Sequence, residues 1–391
     1  MQLPAQSKRL RLIVEGWRFL PHSYAVVNQF QCLELLRRPH VELRHRDMPF
    51  RASHWRQVNG LWDPPAEAAL SDIPAPGPGE IADAILRIDY PHRLNPVPGV
   101  RTCVFMTAEY RCLPVANIAD SRPLAQWHRE SDVLLITPSQ WSRKGLIRSG
   151  ADPARVFVVP HGIDPGVFHP LSPEDRTSLR RRLGFEGFIF LNLSSMTDNK
   201  NIRTLLKAFA AVANRHSHVR LALKGNDMLY ASQQKVELSR QGLTPAEMQL
   251  IEPRLAYAGQ TLPFRQIGEF YQAMDAYVSP YVAEGFNLPA LEAAACGMPV
   301  ICTAGGATDD FTSADFALPI AAKEKQVMVK EAQGWLLVPS LDSLIAQMNA
   351  VIERPAIAAL ARIAGPRSVA DGFLWSQVVD RLLQVLSPAQ E

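Results

Sequence analysis

The stretch AEGFNLPALEAAACGMPVICTAGG, residues 283–306, carries two carboxylates eight positions apart, Glu284 and Glu292. Pro289 fits the first turn of the Ala-rich helix that follows the loop, because its missing N–H has no intrahelical partner there. The free N–H groups and the positive end of the macrodipole at such a helix start can hold a phosphate. A carboxylate one turn inside the helix can accept hydrogen bonds from two vicinal hydroxyls. The spacing therefore favours a nucleotide-sugar site, with the diphosphate at the helix start, a ribose on Glu292 and a sugar near Glu284.

The same pair also has a plain structural interpretation. Acids near a helix N-terminus stabilise the helix by about 0.3–1 kcal/mol, so Glu284 can be a solvated acid and Glu292 a surface helix position. The residues before the pair help to decide between a ligand site and a plain structural role, because Glu284 closely follows the strand-like run 276–281. Ligands of open parallel sheets bind beyond the carboxyl ends of the strands. The choice therefore depends on the elements around the pair.

Strand-like and helix-like segments alternate along the chain. Strands are expected at 9–16, 41–47, 83–89, 101–109, 132–139, 155–162, 188–194, 219–225, 254–259, 276–281, 298–306 and 334–340. Helices are expected at 23–38 with Ser23 as N-cap, at 140–150 ended by Gly150, and at 202–213, 264–275, 288–296 and 341–353. Such alternation implies parallel sheets with helices on both faces. The series divides near residues 161–175 into two doubly wound domains, and the cleft between them is the expected ligand site.

The composition is that of an ordinary globular protein of 391 residues, long enough for two domains. The net charge of +3 is too small for a nucleic-acid binder. The excess of Lys and Arg lies in residues 1–170, which fits an anionic partner or a membrane surface as well as an ordinary solvated surface. No apolar run approaches the roughly 20 residues of a membrane span. The five scattered cysteines show no metal-ligand spacing and indicate a reducing, cytoplasmic compartment.

The stretch 275–306 closely resembles the signature of the retaining glycosyltransferases of family 4, the group 1 glycosyltransferases, which have the GT-B fold. Glu284 and Glu292 match the acid–seven residues–acid motif of that family. Further segments resemble it at 138–156, at 156–170 between the domains, at 198–212, and at 373–386 near the C-terminus. The resemblance covers roughly residues 130–390, whereas the first hundred residues match only in layout.

The resemblance implies a GT-B chain of two Rossmann-like domains that face a central cleft. It assigns 1–168 to an N-terminal acceptor-binding domain, 169–370 to a C-terminal domain that binds the nucleotide-sugar donor, and 371–391 to a helix that packs back on the first domain. It also implies a retaining, metal-independent transfer from a nucleotide-diphosphate sugar to an acceptor hydroxyl, without a cofactor. Glycan, polysaccharide or glycolipid biosynthesis is the expected setting, in the cytoplasm or peripherally at the inner face of the membrane.

The matched motifs carry residue roles to this chain. Glu284 is expected to contact the donor sugar, Glu292 the ribose, and Lys200 the departing diphosphate. Donor contacts through the loop and helix start are expected from Gly285, Phe286, Asn287 and Leu288. Gln260, in YAGQTL, is expected near the donor base.

The chain departs from the family pattern at the donor site. Many members have Gly-Arg where this chain has Ser194 and Ser195, so the guanidinium that braces the diphosphate is absent from its usual position. Its role passes to these hydroxyls, to Lys224 or to Arg203, or else catalysis is impaired. Members also often have Gly at the position of Asn287.

The first domain offers weaker candidates. Gly16 ends the first strand, where the family has a Gly-containing loop near the donor phosphate and the acceptor. His92 and Glu109 each follow a strand-like run and are candidates for the base or for orienting the donor sugar. His161 is expected to be a structural residue at the hinge.

Three functions stay open: an active sugar transferase, a catalytically silent nucleotide-binding or regulatory partner, and a sugar-nucleotide epimerase. Ser195 in place of arginine favours the silent partner, whereas Glu284, Glu292 and Lys200 oppose it. The Gly-Phe-Asn-Leu-Pro loop argues against the epimerase, and the lack of G-x-G-x-x-G after the first strand argues against a nicotinamide dehydrogenase. The acceptor is a glycan, a lipid-linked molecule or a small molecule. The sequence leaves its identity, the donor sugar and the oligomeric state open.

Overall fold

The structure is a computed structural model that describes residues 9–387. The chain folds into two compact units. The first unit comprises Met1–Gly162, Val329–Ala332 and Trp375–Glu391, and the second comprises Ile163–Met328 and Gln333–Leu374. Residues 1–8 and 388–391, at the ends of the predicted ranges 1–168 and 371–391, lie outside the described residues.

The strands are β1 (Leu10–Gly16), β2 (Val41–Asp47), β3 (Ala84–Ile88), β4 (Arg101–Phe105), β5 (Leu134–Thr137), β6 (Val156–Val158), β7 (Phe188–Leu193), β8 (Val219–Lys224), β9 (Leu255–Ala258), β10 (Ala276–Ser279), β11 (Val300–Thr303), β12 (Ala317–Ile320), β13 (Ala322–Val329) and β14 (Ala332–Pro339). The helices are α1 (Ser23–Leu36), α2 (Pro64–Ser71), α3 (Leu124–Glu130), α4 (Gln140–Arg148), α5 (Pro173–Leu183), α6 (Ile202–Arg215), α7 (Asp227–Tyr230), α8 (Ser232–Arg240), α9 (Pro245–Ile251), α10 (Phe264–Ala273), α11 (Leu288–Ala295), α12 (Leu341–Glu353), α13 (Pro355–Gly372) and α14 (Trp375–Leu386).

The first unit is built on a six-stranded parallel sheet in the order β2-β1-β3-β4-β5-β6. The carboxyl ends of β1, β3 and β4 are therefore neighbours along one edge. Helix α14 belongs to this unit, and the ring of Trp375 stacks on that of Phe30 in α1 with centroids 5.2 Å apart. The polar and apolar residues of α14 alternate at helical spacing, so it buries one apolar face.

The second unit contains a parallel sheet in the order β12-β11-β10-β7-β8-β9. Strands β7 and β10 are neighbours although they are far apart in the sequence, so the residues that follow each strand meet at one edge. Helix α6 covers the sheet with a fully buried apolar stripe that includes Leu205, Phe209 and Val212. Burying each such side chain stabilises the fold by about 1.5–3 kcal/mol. This rigid layer positions the segment around Lys200, which lies just before α6.

The parallel α/β layers predicted from the alternation are confirmed, with two corrections of detail. Ser23 does not cap α1; His22, in an extended conformation, precedes the helix, and its Nδ1 accepts a hydrogen bond from Tyr24 N at 3.1 Å. The strand predicted at 334–340 exists as β14, but it pairs with β13 in a separate two-stranded sheet. The sixth strand of the second sheet is β12, which has only four residues and contains Pro319, so its sequence signal is weak.

Candidate functional site

The loop between β10 and α11 is held in one conformation by Asn287. This residue precedes α11 with φ 74° and ψ 60°, in the left-handed region that glycine and asparagine tolerate best. Its Nδ2 donates a hydrogen bond to Ser279 Oγ, at the end of β10, over 3.0 Å. Glycine would adopt the same conformation without a side-chain clash. The first turn of α11 holds no acidic residue and includes Pro289, so the start of the helix retains its positive potential.

Glu284 and Lys200 form an ion pair at this edge of the second sheet. Lys200 ends the short 3₁₀ turn Asp198–Lys200 that follows β7, and its Nζ lies 2.5 Å from Glu284 Oε1. Both side chains are largely buried: that of Lys200 is 14% exposed and that of Glu284 is 9% exposed. Asn199 fastens the turn to the loop, since its Nδ2 donates to Ala283 O at 3.0 Å and its carbonyl accepts from Val282 N at 2.8 Å. The two charges are therefore held in place by backbone on both sides.

Glu292 lies one turn inside α11 and meets Tyr271 of α10. The Tyr271 hydroxyl donates to Glu292 Oε2 over 2.7 Å, and both residues are buried. Burial raises the pKa of Glu292 to about 7, while the hydrogen bond from Tyr271 opposes this rise. The sequence gives no sign of Tyr271, because a tyrosine on the apolar face of an amphipathic helix is typical of a core residue.

The neighbouring edge of β7 and β8 carries Ser194, Ser195 and Lys224. Ser194 Oγ donates to Asn192 Oδ1 at 2.9 Å, and Ser195 Oγ is 2.7 Å from Thr197 Oγ1. Lys224 ends β8 and is 5% exposed, with Nζ donating to Gly225 O. Burial lowers the pKa of Lys224 to about 8, and Asp227 opposes this change.

The sheet register shows which face Lys224 occupies. Leu191 of β7 pairs with both Ala222 of β8 and Tyr277 of β10, and Lys224 is two residues beyond Ala222. Side chains at i and i+2 of a strand share a face. Lys224 therefore lies on the same face as Tyr277, whose ring is 6.3 Å from the Tyr271 ring that contacts Glu292.

The remaining predicted donor residues lie in the same unit. Phe286 is buried and packs on Phe311, with ring centroids 5.1 Å apart. Gly285 is also buried, Leu288 is half-buried at the first position of α11, and Gln260 is exposed just beyond the end of β9. Arg203 lies in the first turn of α6 and is exposed; its side chain packs against Gly242. All of these segments except that of Arg203 follow the carboxyl end of a strand or begin α11.

The first-unit candidates follow three adjacent strands, β1, β3 and β4. Gly16 ends β1, and a Cβ there would come within 2.8 Å of Ile88 Cγ2 and 3.0 Å of Ile88 O, so close packing of the backbone accounts for this glycine. His92 is 1% exposed, and burial lowers its pKa to about 4, which keeps the imidazole neutral. Glu109 is half-buried, and its carbonyl accepts a hydrogen bond from Trp141 Nε1 at 2.7 Å.

His161, predicted to be structural, is buried against the ring of Phe105 at 5.7 Å between centroids. Burial lowers the pKa of His161 to about 3. Within residues 9–387 no three His, Cys, Asp or Glu side chains form a group that could hold a metal ion. None of the helices in that range has both the length and the apolar character that crossing a bilayer requires.

Comparisons with known proteins agree with the geometry of the second unit. Residues 187–354 match the family model of the glycosyl transferases group 1. The D-inositol 3-phosphate glycosyltransferase of Geodermatophilus obscurus is 29% identical over 272 residues, 67% of this chain and 54% of that protein. The mannosylfructose-phosphate synthase of Agrobacterium fabrum is 29% identical over 153 residues, 39% of this chain and 33% of its own length. The chain thus spans about half the length, or less, of these curated relatives.

A solved structure extends the similarity to nearly the whole chain. The crystal structure of Anabaena Alr3699/HepE in complex with UDP and glucose has a TM-score of 0.69 and 16% identity, and covers 97% of this chain and 99% of that one. At this identity the likeness establishes the shared fold, and it confirms the predicted GT-B class. The resemblance to the group 1 glycosyltransferases is confirmed as well: residues 187–354 match the model of that family, in a chain of GT-B fold.

Proposed function

We propose that this chain is a retaining, metal-independent glycosyltransferase that moves a sugar from a nucleotide-diphosphate sugar to an acceptor hydroxyl in glycan, polysaccharide or glycolipid biosynthesis. The observation that carries the proposal is the buried ion pair of Lys200 and Glu284 beside the N-terminus of α11. A lysine and a helix N-terminus together suit a diphosphate, and a carboxylate next to them suits a sugar hydroxyl. The matched family model supports the same class.

The diphosphate binds at the start of α11. Its charge is met by the free N–H groups of the first turn, around Leu288, and by the ammonium of Lys200. Without donor, Glu284 holds that ammonium in place. When the diphosphate binds, the Lys200 ammonium donates hydrogen bonds to phosphate oxygens as well. The Glu284 carboxylate can then accept hydrogen bonds from the sugar hydroxyls. The ion pair thus holds both side chains, before the donor binds, close to the positions that they occupy in the donor complex.

The nucleoside binds beside α11 and the end of β9. Glu292 accepts hydrogen bonds from the two ribose hydroxyls, while Tyr271 donates to its other oxygen and fixes the carboxylate. Gln260 is close in sequence to the end of β9 and faces solvent, where a base would lie. The bound UDP in a chain of the same fold makes uridine nucleotides the first donors to screen.

Lys224 replaces the arginine that is missing at Ser195. It lies on the sheet face of Tyr277 and brings a second ammonium toward the donor side of the sheet. A bound phosphate would raise the pKa of Lys224 from about 8, because an anion stabilises the charged form. The hydroxyls of Ser194 and Ser195 add neutral donors at the end of β7.

The reaction is a front-side substitution at the anomeric carbon. The bond from that carbon to the phosphate oxygen breaks, and the bond to the acceptor oxygen forms on the same face, which retains the configuration. The acceptor's proton passes to the departing phosphate oxygen. Lys200 and the α11 N-terminus neutralise the diphosphate, so the proposal needs no metal, and Glu284 orients the sugar rather than attacking it.

The test combines a donor screen with one variant. We expect wild-type protein incubated with UDP- and GDP-sugars and candidate acceptors to release nucleotide diphosphate and to give a product of the added hexose mass. Lys200→Ala should lower turnover at saturating donor by about 100-fold or more, since losing one such contact costs about 2.7–4 kcal/mol. Lys325→Ala, at an exposed lysine in β13, is the matched control. Unchanged turnover in Lys200→Ala would refute the role of Lys200 in neutralising the departing diphosphate.

A second function is favoured by one observation, the serine at position 195. A silent GT-B partner would bind the nucleotide through Glu292 but fail to transfer or hydrolyse the sugar. Tight UDP binding, lost in Glu292→Ala, together with no turnover of any donor would favour that function over the transferase.

A further inference from the structure

Aromatic side chains cover the carboxyl edge of the sheet in the first unit. Tyr90 and His92 follow β3, with ring centroids 5.5 Å apart. Tyr24, in the first turn of α1, stacks on His92 at 6.3 Å, and its hydroxyl is 3.1 Å from Thr107 Oγ1 beyond β4. Trp17, after β1, contacts the same group through His22 at 5.2 Å. Three adjacent strands thus end beneath a cluster of aromatic rings, in which Tyr24 and Tyr90 are partly exposed while Trp17 and His92 are buried.

Two exposed cations flank Tyr90. The guanidinium carbon of Arg51 lies 4.3 Å from the centroid of the Tyr90 ring. Lys330 Nζ is 3.1 Å from Asn117 Oδ1 and 3.5 Å from the Tyr90 hydroxyl, which itself donates to Asn117 Oδ1 at 2.7 Å. Within residues 9–387 neither cation has a carboxylate within ion-pair distance. Their charges are therefore held beside Tyr90 by neutral groups.

The backbone that presents Lys330 is strained. Lys330 and Glu331 have φ of 44° and 69°, and they form the two-residue connection between β13 and β14. Such left-handed pairs normally use Asn-Gly, since other side chains disfavour this conformation. Strain of this kind persists where the surroundings hold it, and it concentrates at ligand sites. The turn Val329–Ala332 belongs to the first unit, so Lys330 is part of the same surface as Tyr90.

A buried polar atom lies in the same cluster. His92 Nδ1 has no hydrogen-bond partner among the described residues, although the residue is only 1% exposed. Its ring stacks on Tyr24, in the first turn of α1, and that turn carries no acidic residue. A fourteen-residue helix whose start has no acids, together with two exposed cations that lack carboxylate partners, favours an anion at this place.

We propose that this edge binds the acceptor through an anionic group, a phosphate or a carboxylate, carried on a sugar or polyol whose ring packs against the partly exposed rings of Tyr24 and Tyr90. Arg51 and Lys330 are the residues that recognise the charge. The proposal rests on the proposed function, and it names the acceptor class for it. Arg51 offers the fork of donors that suits a phosphate or carboxylate, and Lys330 adds a point charge. His92 and Glu109 are then placed to orient the acceptor hydroxyl.

The test measures binding, so that it does not depend on turnover. Calorimetric titrations would compare matched pairs: inositol 3-phosphate with inositol, fructose 6-phosphate with fructose, and glucuronate with glucose. All are run with saturating UDP, so that phosphate cannot occupy the diphosphate position of the second unit. The variants are Arg51→Ala, Lys330→Ala and the double variant. The matched controls are Arg56→Ala, at an exposed arginine whose guanidinium donates to the carbonyls of Ser53 and Trp55, and Lys323→Ala, at an exposed lysine in β13.

We expect the anionic member of at least one pair to bind about 10-fold or more tighter than its neutral partner. Each single variant should lose most of that preference, and the controls should keep it. The absence of a preference in every pair, or a preference unchanged in the double variant, would overturn the proposal. Failure of the proposed function looks different: acceptor binding and its dependence on Arg51 persist, but no donor gives product.

Discussion

Replacing Glu292 by glutamine should remove one part of the pH dependence of stability, the loss that wild type shows as the pH rises from 4.5 to 7. The carboxyl is buried in α11, where the Tyr271 hydroxyl donates a hydrogen bond to it over 2.7 Å, and burial leaves its charge poorly solvated. Burial raises the pKa of Glu292 from 4.5 to about 7. Glutamine has nearly the same shape and accepts the same hydrogen bond, but it does not titrate. The variant therefore isolates the charge.

The magnitude follows from the size of the shift. Between pH 4.5 and 7 the folded state holds the Glu292 proton more tightly than the unfolded state, so the contribution to stability is complete below pH 4.5 and is lost as the pH rises through 7. One pKa unit corresponds to about 1.36 kcal/mol, so the loss is about 3 kcal/mol. Relative to wild type, Glu292→Gln should gain about that much stability between pH 4.5 and pH 8, whatever the two proteins' difference at low pH.

The assay is a set of urea titrations of both proteins at pH 5, 6, 7 and 8 at fixed ionic strength. Hydrogen exchange of peptides from β7 and β10 reports the second unit separately from the first, which matters because a chain of two units does not unfold as one two-state system. Tyr271→Phe serves as a companion, since removing the donor to Glu292 should raise the pKa further and steepen the wild-type slope. Parallel pH curves for wild type and Glu292→Gln would refute the reasoning.

Two further predictions concern backbone positions. Asn287→Gly should be more stable than Asn287→Ala by about 1 kcal/mol in thermal unfolding, because both lose the bond to Ser279 but only alanine resists the left-handed conformation; equal midpoints would contradict the assigned φ. Gly16→Ala should destabilise by about 1–3 kcal/mol in urea, since its Cβ would press on Ile88. Gly77→Ala, whose Cβ would meet only Glu80 Oε2 at 3.7 Å, should be close to neutral, and similar costs for both would exclude packing as the cause.

Local signals predicted the elements that position the site. The helix predicted at 341–353 matches α12, and Gly150, predicted to end the helix before it, has φ 96° one residue after the C-cap of α4. Periodicity and turn chemistry are encoded within a few neighbouring residues, so they are visible in a single sequence. The position of Glu284 beyond a strand end followed from the same signals.

Contacts between residues far apart in the sequence could not be predicted from local patterns. The contact of Tyr271 with Glu292 joins two helices, and both residues are typical of buried helix faces. The turn at Lys330 shows no Asn-Gly signal, because the strained conformation is occupied by residues that ordinarily avoid it. Such features depend on which elements are neighbours, and strand order is set by the whole fold.

The serine at position 195 now has a physical consequence. In the proposed donor site, with no arginine at position 195, the positive charge toward the diphosphate would come from Lys200, Lys224 and the start of α11. Glu284, which pairs with Lys200, would cancel part of that charge until the donor binds. Lys224 contributes only if it is protonated, and burial sets its pKa at about 8, near the working range of most enzymes. Donor affinity should therefore weaken above pH 8 as Lys224 loses its proton, and below pH 7 as Glu292 gains one. In a Ser195→Arg variant the decrease in donor affinity above pH 8 should be smaller, because a guanidinium stays charged throughout that range and supplies positive charge after Lys224 has lost its proton.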